Sequence, residues 1–211
     1  CFRLCIKIKL SVSIVPALIE LKKVDKVNEG YVGAAIASFL FELYKLVDLS
    51  KVFVVGIDPI SHGIEGHYDK FYHACVDNVD TPKTQMFYKN RSDDQASSLY
   101  STIGEQVGEI DILNLNSIIN DDIPDDTIHF IKIDAEGKDL HIVKSLSEEV
   151  LARTKFIAIE CPHDRARYDG ESTKDECIQY FDTIGFDVFF CHDTNNGSGI
   201  SDVVFINRNN S

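Results

Sequence analysis

Three ionisable side chains stand at every second position in Lys132-Ile-Asp134-Ala-Glu136-Gly137. The run before them, His129-Phe-Ile-Lys-Ile133, is mostly apolar and alternates as a buried strand does. Beyond the glycine, Leu140, Ile142, Val143 and Leu146 recur at helical spacing. A strand ending in acids and a glycine and turning directly into a helix is half of a βαβ unit. Ligands of open α/β sheets bind just beyond the carboxyl ends of such strands, so Asp134 and Glu136 stand where chemistry is expected. The same residues also have a purely structural reading, in which Asp134 caps the helix and Glu136 favours its positive first turn. Geometry along the chain leaves both open.

Other chemistry-bearing residues close strand-like runs in the same manner. Asp58 ends Val54-Val55-Gly56-Ile57-Asp58, Asp77 follows the run ending at Val76, and Glu160 ends Phe156-Ile-Ala-Ile-Glu160. Glu160-Cys-Pro-His163 brings a histidine to that last strand end, where a surface role competes with a functional one. His62 and His67 flank a glycine-rich loop, but no third ligand stands near them, so no metal site is predicted. Asn90-Arg-Ser and Asn196-Gly-Ser fit the short glycosylation pattern and carry little weight.

These residues need a scaffold, and 211 residues with 44% apolar content can bury one good core. The expected division is an N-terminal segment, 1–29, followed by one domain, 30–211. Residues 1–30 hold six basic and three acidic side chains, a balance of +3; the whole chain is −13, leaving −16 for the rest. So acidic a body repels phosphate backbones, which excludes a nucleic-acid substrate. Six cysteines without a C-x-x-C pair, with Cys75, Cys161 and Cys191 in or beside apolar runs, suggest free thiols in a reducing, cytoplasmic setting. No apolar run approaches the ~18 residues of a membrane span, and lysines interrupt the first twenty residues, which argues against a signal peptide.

Periodicity predicts a buried helix from Gly33 to about Leu46, a strand at 51–58, another at 70–76, and shorter ones at 84–88 and 108–113. Residues 121–126 read as an acidic loop around Pro124. After the central unit come a helix at 147–152, a strand at 155–160 and a helix at 171–184 closed by Gly185. Strands at 186–191 and 203–207 follow with no helix between them, so this last pair is expected to be antiparallel. Alternating strands and helices predict a mostly parallel sheet with helices on both faces.

The Lys132–Gly137 motif, preceded by a strand and followed by a helix, resembles the K-x-D-x-E-G signature of FkbM-type methyltransferases. The similarity runs roughly from Gly30 to Asn207. Val54–Pro59 resembles the family's second strand with its acid and proline, and Phe156–Glu160 its strand after the signature. Asp111–Asn116 is similar to the segment ahead of the signature, with an asparagine in the acid's place. The resemblance implies a Rossmann-like seven-stranded fold and a methyltransferase that uses S-adenosylmethionine, with a hydroxyl of a small molecule or glycan as acceptor. It implies Gly30 and Gly33 at a cofactor turn, Asp58 on the ribose, Asp77 on the adenine side and Ser98, in Ser97-Ser98-Leu99, near the cofactor. Asp134, Glu136, Lys132 and Glu160 then position the acceptor or take its proton.

One stretch departs from the family. Its usual aspartate and G-A-N-x-G are replaced by Val27-Asn-Glu-Gly30-Tyr-Val-Gly33, in which Gly33 matches the last glycine while Glu29 and Val27 replace the first glycine and the aspartate. Either the first strand lies earlier, in Ser11–Glu20, or the site is altered. Two rival readings follow: a nucleotide-binding oxidoreductase, which the missing G-x-G-x-x-G speaks against, and a non-catalytic module that keeps the fold with an altered glycine loop. The sequence names neither the acceptor nor the oligomeric state.

Overall fold

The computed structural model describes residues 27–32, 52–59, 65, 68–89, 105–124, 127–135, 137–164, 166, 170–193 and 199–210. Among the described residues ten strands form two sheets: β1 (Val27–Val32), β2 (Val52–Ile57), β3 (Lys70–Tyr72), β4 (Ala74–Val76), β5 (Lys83–Lys89), β6 (Glu105–Leu113), β7 (Ile128–Ile133), β8 (Thr154–Pro162), β9 (Phe186–Asp193) and β10 (Ile200–Asn207). The larger sheet has the order β3-β2-β1-β7-β8-β10-β9, and the smaller one β4-β6-β5. Pairing is parallel from β3 through β8 and antiparallel on both sides of β10. The fold is therefore α/β with mixed sheets, where a single mostly parallel seven-stranded sheet was expected.

The three strands predicted from apolar runs, now β2, β7 and β8, all lie inside the larger sheet. Every residue of β7 is buried, as a strand covered on both faces must be. Side chains of a strand alternate between faces, so Ile131 and Ile133 share one face with Ile157, Ile159, Val203 and Phe205. On that face pack α1 (Leu115–Asp122), α2 (Asp139–Val143), α3 (Glu148–Arg153) and α4 (Lys174–Thr183). Phe181 of α4 stacks on Phe205 with ring centroids 3.7 Å apart. On the opposite face Phe130, Lys132, Phe156, Ala158 and Val204 are equally buried. The helix expected from Gly33 to Leu46 lies outside the described residues.

Several boundaries differ from the sequence reading. The first described strand, β1, runs across the expected division at 29/30, and Ser11–Glu20 lies outside the described residues. The strand expected at 70–76 is two: β3 joins β2, the chain breaks at His73, and β4 joins β6 in the other sheet. Tyr72 and Lys70 both bond Asp122 of α1, which secures β3 before the chain departs. α1 was not anticipated; Asn114 caps it by accepting from the Asn116 and Ser117 N–H groups. α4 opens with a reciprocal capping box between Thr173 and Glu176 and ends at Gly185, whose φ of 85° suits a glycine C-cap. Cys75, read as a free thiol, is disulfide-bonded to a residue outside those described, whereas Cys161, Cys177 and Cys191 are free.

Candidate active site at the carboxyl edge of the sheet

Parallel strands bring their carboxyl ends to one edge, and the acids singled out above gather along it. Asp58 follows β2, Asp134 follows β7, and Glu160 lies in the last turn of pleat of β8. Because β10 is antiparallel to β8, its first residues reach the same edge, where Asp202 lies directly opposite Glu160. One row inward, Lys132 is opposite Ala158. The small Ala158 side chain leaves room on this face for the lysine stem to extend toward the strand ends.

The Lys132 Nζ atom lies 3.3 Å from Asp202 Oδ1 and 3.8 Å from Asp134 Oδ2. The side chain is fully buried, and an isolated ammonium there would be very costly. Burial opposes the charge, yet Asp202 first, then Asp134, Glu160 and Asp139, outweigh it and hold the lysine pKa above its ordinary value. Among the described residues four carboxylates thus act on one cation, Asp134 after β7, Glu160 on β8, Asp139 on α2 and Asp202 on β10, and two of them, Asp202 and Asp134, pair with it.

Asp134 does not cap α2. The N-cap position of that helix is Lys138, with no side-chain cap, and Asp134 is paired with Lys132 instead. The structural reading left open by the sequence is thereby set aside in its capping form. The acid that organises the turn is Asp139, which sequence reasoning passed over. Its Oδ2 accepts from the Ala135 N–H at 3.1 Å and its Oδ1 from the Glu160 N–H at 3.1 Å, so one carboxylate joins the ends of β7 and β8. Burial foremost, with the Glu160 carboxylate beside it, pushes Asp139 up to about 7. An acid at the first position of the helix was the available signal. Between these elements Gly137 has φ 98°, a conformation open to glycine and strained for other residues.

The remaining candidates divide. Asp77 lies at the end of β4, where its Oδ1 accepts from the Asn78 N–H and stands 3.2 Å from His141 Nε2 of α2. His141 was not foreseen, and it ties the adenine-side candidate to the helix that follows the signature. Asp58 is fully buried and its N–H donates to the Tyr72 carbonyl. Gly30, expected in a turn, lies within β1, opposite Val55 on one side and Ile131 on the other. Gly33, Ser98 and Glu136 lie outside the described residues, as do His62 and His67. His163 faces Asp193 at 3.3 Å, in a cluster where Ser201 and Lys174 also bond Asp193 and draw its carboxyl down to about 2. Among the described residues no three of His, Cys, Asp and Glu form a metal-binding group, and no helix is long and apolar enough to cross a membrane.

S-adenosylmethionine carries a sulfonium, an ammonium and ribose hydroxyls, so it requires acids as partners. Asp58 and Asp134 on one sheet edge, with Asp77 ending β4, form a donor set that fits this chemistry. Asp58 would take the ribose hydroxyls, Asp77 the adenine side and Asp134 a cationic group.

No curated protein matches the chain. Among solved structures, similarity extends to the magnesium protoporphyrin IX methyltransferase of Synechocystis PCC 6803 with bound SAM, at 11% identity and TM-score 0.46, covering 92% of this chain and 76% of that one. A fibrillarin pre-rRNA processing protein of Methanococcus jannaschii gives 12% identity and TM-score 0.49 over 92% and 74%. A SAM-dependent methyltransferase from Aquifex aeolicus gives 14% and 0.45 over 93% and 91%. Likenesses this distant carry no functional argument. The sequence itself matches the methyltransferase FkbM domain from residue 32 to 188, a span that contains the Lys132–Gly137 signature, β2, β7, β8 and α4. The chain therefore belongs to the FkbM methyltransferase family, which takes its methyl group from S-adenosylmethionine.

Proposed function

We propose that the chain is an O-methyltransferase whose acceptor is a hydroxyl of a small molecule or glycan. The observation that carries this reading is the ion pair of Asp134 with the buried Lys132 at the carboxyl edge, with Glu160 on the neighbouring strand. When bound, S-adenosylmethionine supplies an electrophilic methyl group on sulfur. A hydroxyl oxygen forms its bond to that carbon as the carbon–sulfur bond breaks toward sulfur, and its proton must pass to a base. Asp134 and Glu160 are the carboxylates placed to accept it. Lys132 pairs with Asp134 across 3.8 Å, which ties that carboxylate to the buried ammonium on its own strand.

The −13 net charge supports an acceptor that is not a nucleic acid.

Calorimetric titration with S-adenosylmethionine and, separately, NAD tests the cofactor site. A screen of sugars and small alcohols for release of S-adenosylhomocysteine then tests the acceptor class. Binding of S-adenosylmethionine with turnover on a hydroxyl compound is expected. Turnover only on amines or thiols would overturn the O-methyl reading, and binding of neither nucleotide would leave a non-catalytic module.

A further inference from the structure

The signature strand is read as an independent motif, but its lysine is held from elsewhere. Asp202, seventy residues away on β10, is the nearest carboxylate to Lys132 Nζ among the described residues, at 3.3 Å against 3.8 Å for Asp134. The two faces of this contact differ: the lysine side chain is almost wholly enclosed, while that of Asp202 keeps about a quarter of its surface in solvent (24%). The register explains how they meet. Asp202 opposes Glu160, which lies two residues beyond Ala158, the residue facing Lys132, so all three share one face of the sheet.

We propose that Asp202 is the positioning residue of the methyl-transfer site, keeping the Lys132 ammonium in place beside Asp134. The inference rests on the reading of Lys132, Asp134 and Glu160 as that site. Among the described residues four carboxylates act on the ammonium: Asp134 after β7, Glu160 on β8, Asp139 on α2 and Asp202 on β10. Asp202 contributes most among them to keeping the charge on the lysine. Without it the buried amine is desolvated with less compensation and gives up its proton more readily. Asp134 then loses the ion pair that ties it to the lysine.

Lysine labelled at ¹³Cε reports this directly, with the Lys132 signal assigned by its loss in Lys132→Met. In the wild type the signal should titrate above the ordinary lysine value. In Asp202→Asn its midpoint should fall by about one pH unit or more, and Asp202→Glu should restore it. Calorimetry with S-adenosylmethionine at about pH 7.5 should show an affinity about tenfold weaker in Asp202→Asn than in the wild type, about 1.4 kcal/mol, and restored in Asp202→Glu. A Lys132 midpoint unmoved by Asp202→Asn, or a wild-type midpoint at or below the ordinary value, overturns the proposal. So does an Asp202→Asn affinity equal to that of the wild type, which would reduce Asp202 to a structural contact. Failure of the wild type to bind S-adenosylmethionine would overturn the site reading beneath, and the titration of Lys132, read without ligand, is independent of it.

Discussion

The Asp139 carboxylate accepts a hydrogen bond from the Glu160 backbone N–H at 3.1 Å, fastening the first turn of α2 to the end of β8. With its second bond, to the Ala135 N–H, it also closes the loop that carries Asp134. The signature loop is thus held by an acid that follows it rather than by the acids within it.

The state of that acid has a consequence for stability. Its folded pKa, about 7, is above the ordinary value of 3.8, so between those limits the folded chain keeps a proton that the unfolded chain releases. Stability attributable to Asp139 therefore falls as pH rises through this window, by at most about 1.4 kcal/mol per pH unit. Asp139→Asn cannot ionise, but it leaves one of the two N–H groups without an acceptor, a cost of roughly 1–3 kcal/mol. In urea denaturation the variant should be less stable than the wild type at pH 5, with the gap narrowing by pH 8. A gap that stays constant would show that the carboxyl does not titrate in this range.

Asp58 is expected to accept the ribose hydroxyls, but it is fully enclosed, so the test must preserve its shape. Asp58→Asn keeps the volume and removes the charge that strengthens two hydrogen bonds, each worth roughly 1.5–3 kcal/mol. Affinity for S-adenosylmethionine should fall on the order of 10- to 100-fold, with little change in melting temperature. Unaltered affinity would place the ribose elsewhere.

Asp134→Asn removes one of four carboxylates around Lys132 and leaves Asp202 as the nearest, so the fold should survive. Turnover on the best hydroxyl acceptor from the screen should drop by roughly 10²–10⁴-fold if Asp134 takes the proton. Full activity of this variant would hand that role to Glu160 or to solvent.

Gly137 is in a backbone conformation that a Cβ disfavours, with φ 98°. Gly137→Ala should cost roughly 1–3 kcal/mol in urea denaturation and weaken S-adenosylmethionine binding, because the strained residue lies between Asp134 and Asp139. A neutral substitution would mean that the loop relaxes without loss.

Burial on two faces leaves a mark in one dimension. Val52–Ile57, Ile128–Ile133 and Thr154–Pro162 are nearly unbroken apolar runs because parallel inner strands face the core on both sides, and all three were legible as such. The signature motif was legible for the same reason, since its acids close one of these runs. The antiparallel ending was legible in its turn from the missing helix between β9 and β10. By contrast, α1 mixes Asn, Ser and Asp into a short helix and left no clear period. Residues 70–76 form one apolar run, and only pairing with two different partners, β2 and β6, divides it into strands of separate sheets. Gly30 looked like a turn residue because glycine favours turns, yet its neighbours on both sides of β1 make it part of a ladder. The partner of Lys132 was beyond sequence reading altogether. Which carboxylate meets a buried ammonium depends on the register of β10 against β8, and register is settled by cross-strand packing among residues distant in the chain. From sequence alone came the strands that carry the acids; the tertiary fold decided which acid faces the lysine, because charge pairing acts across space and not along the chain.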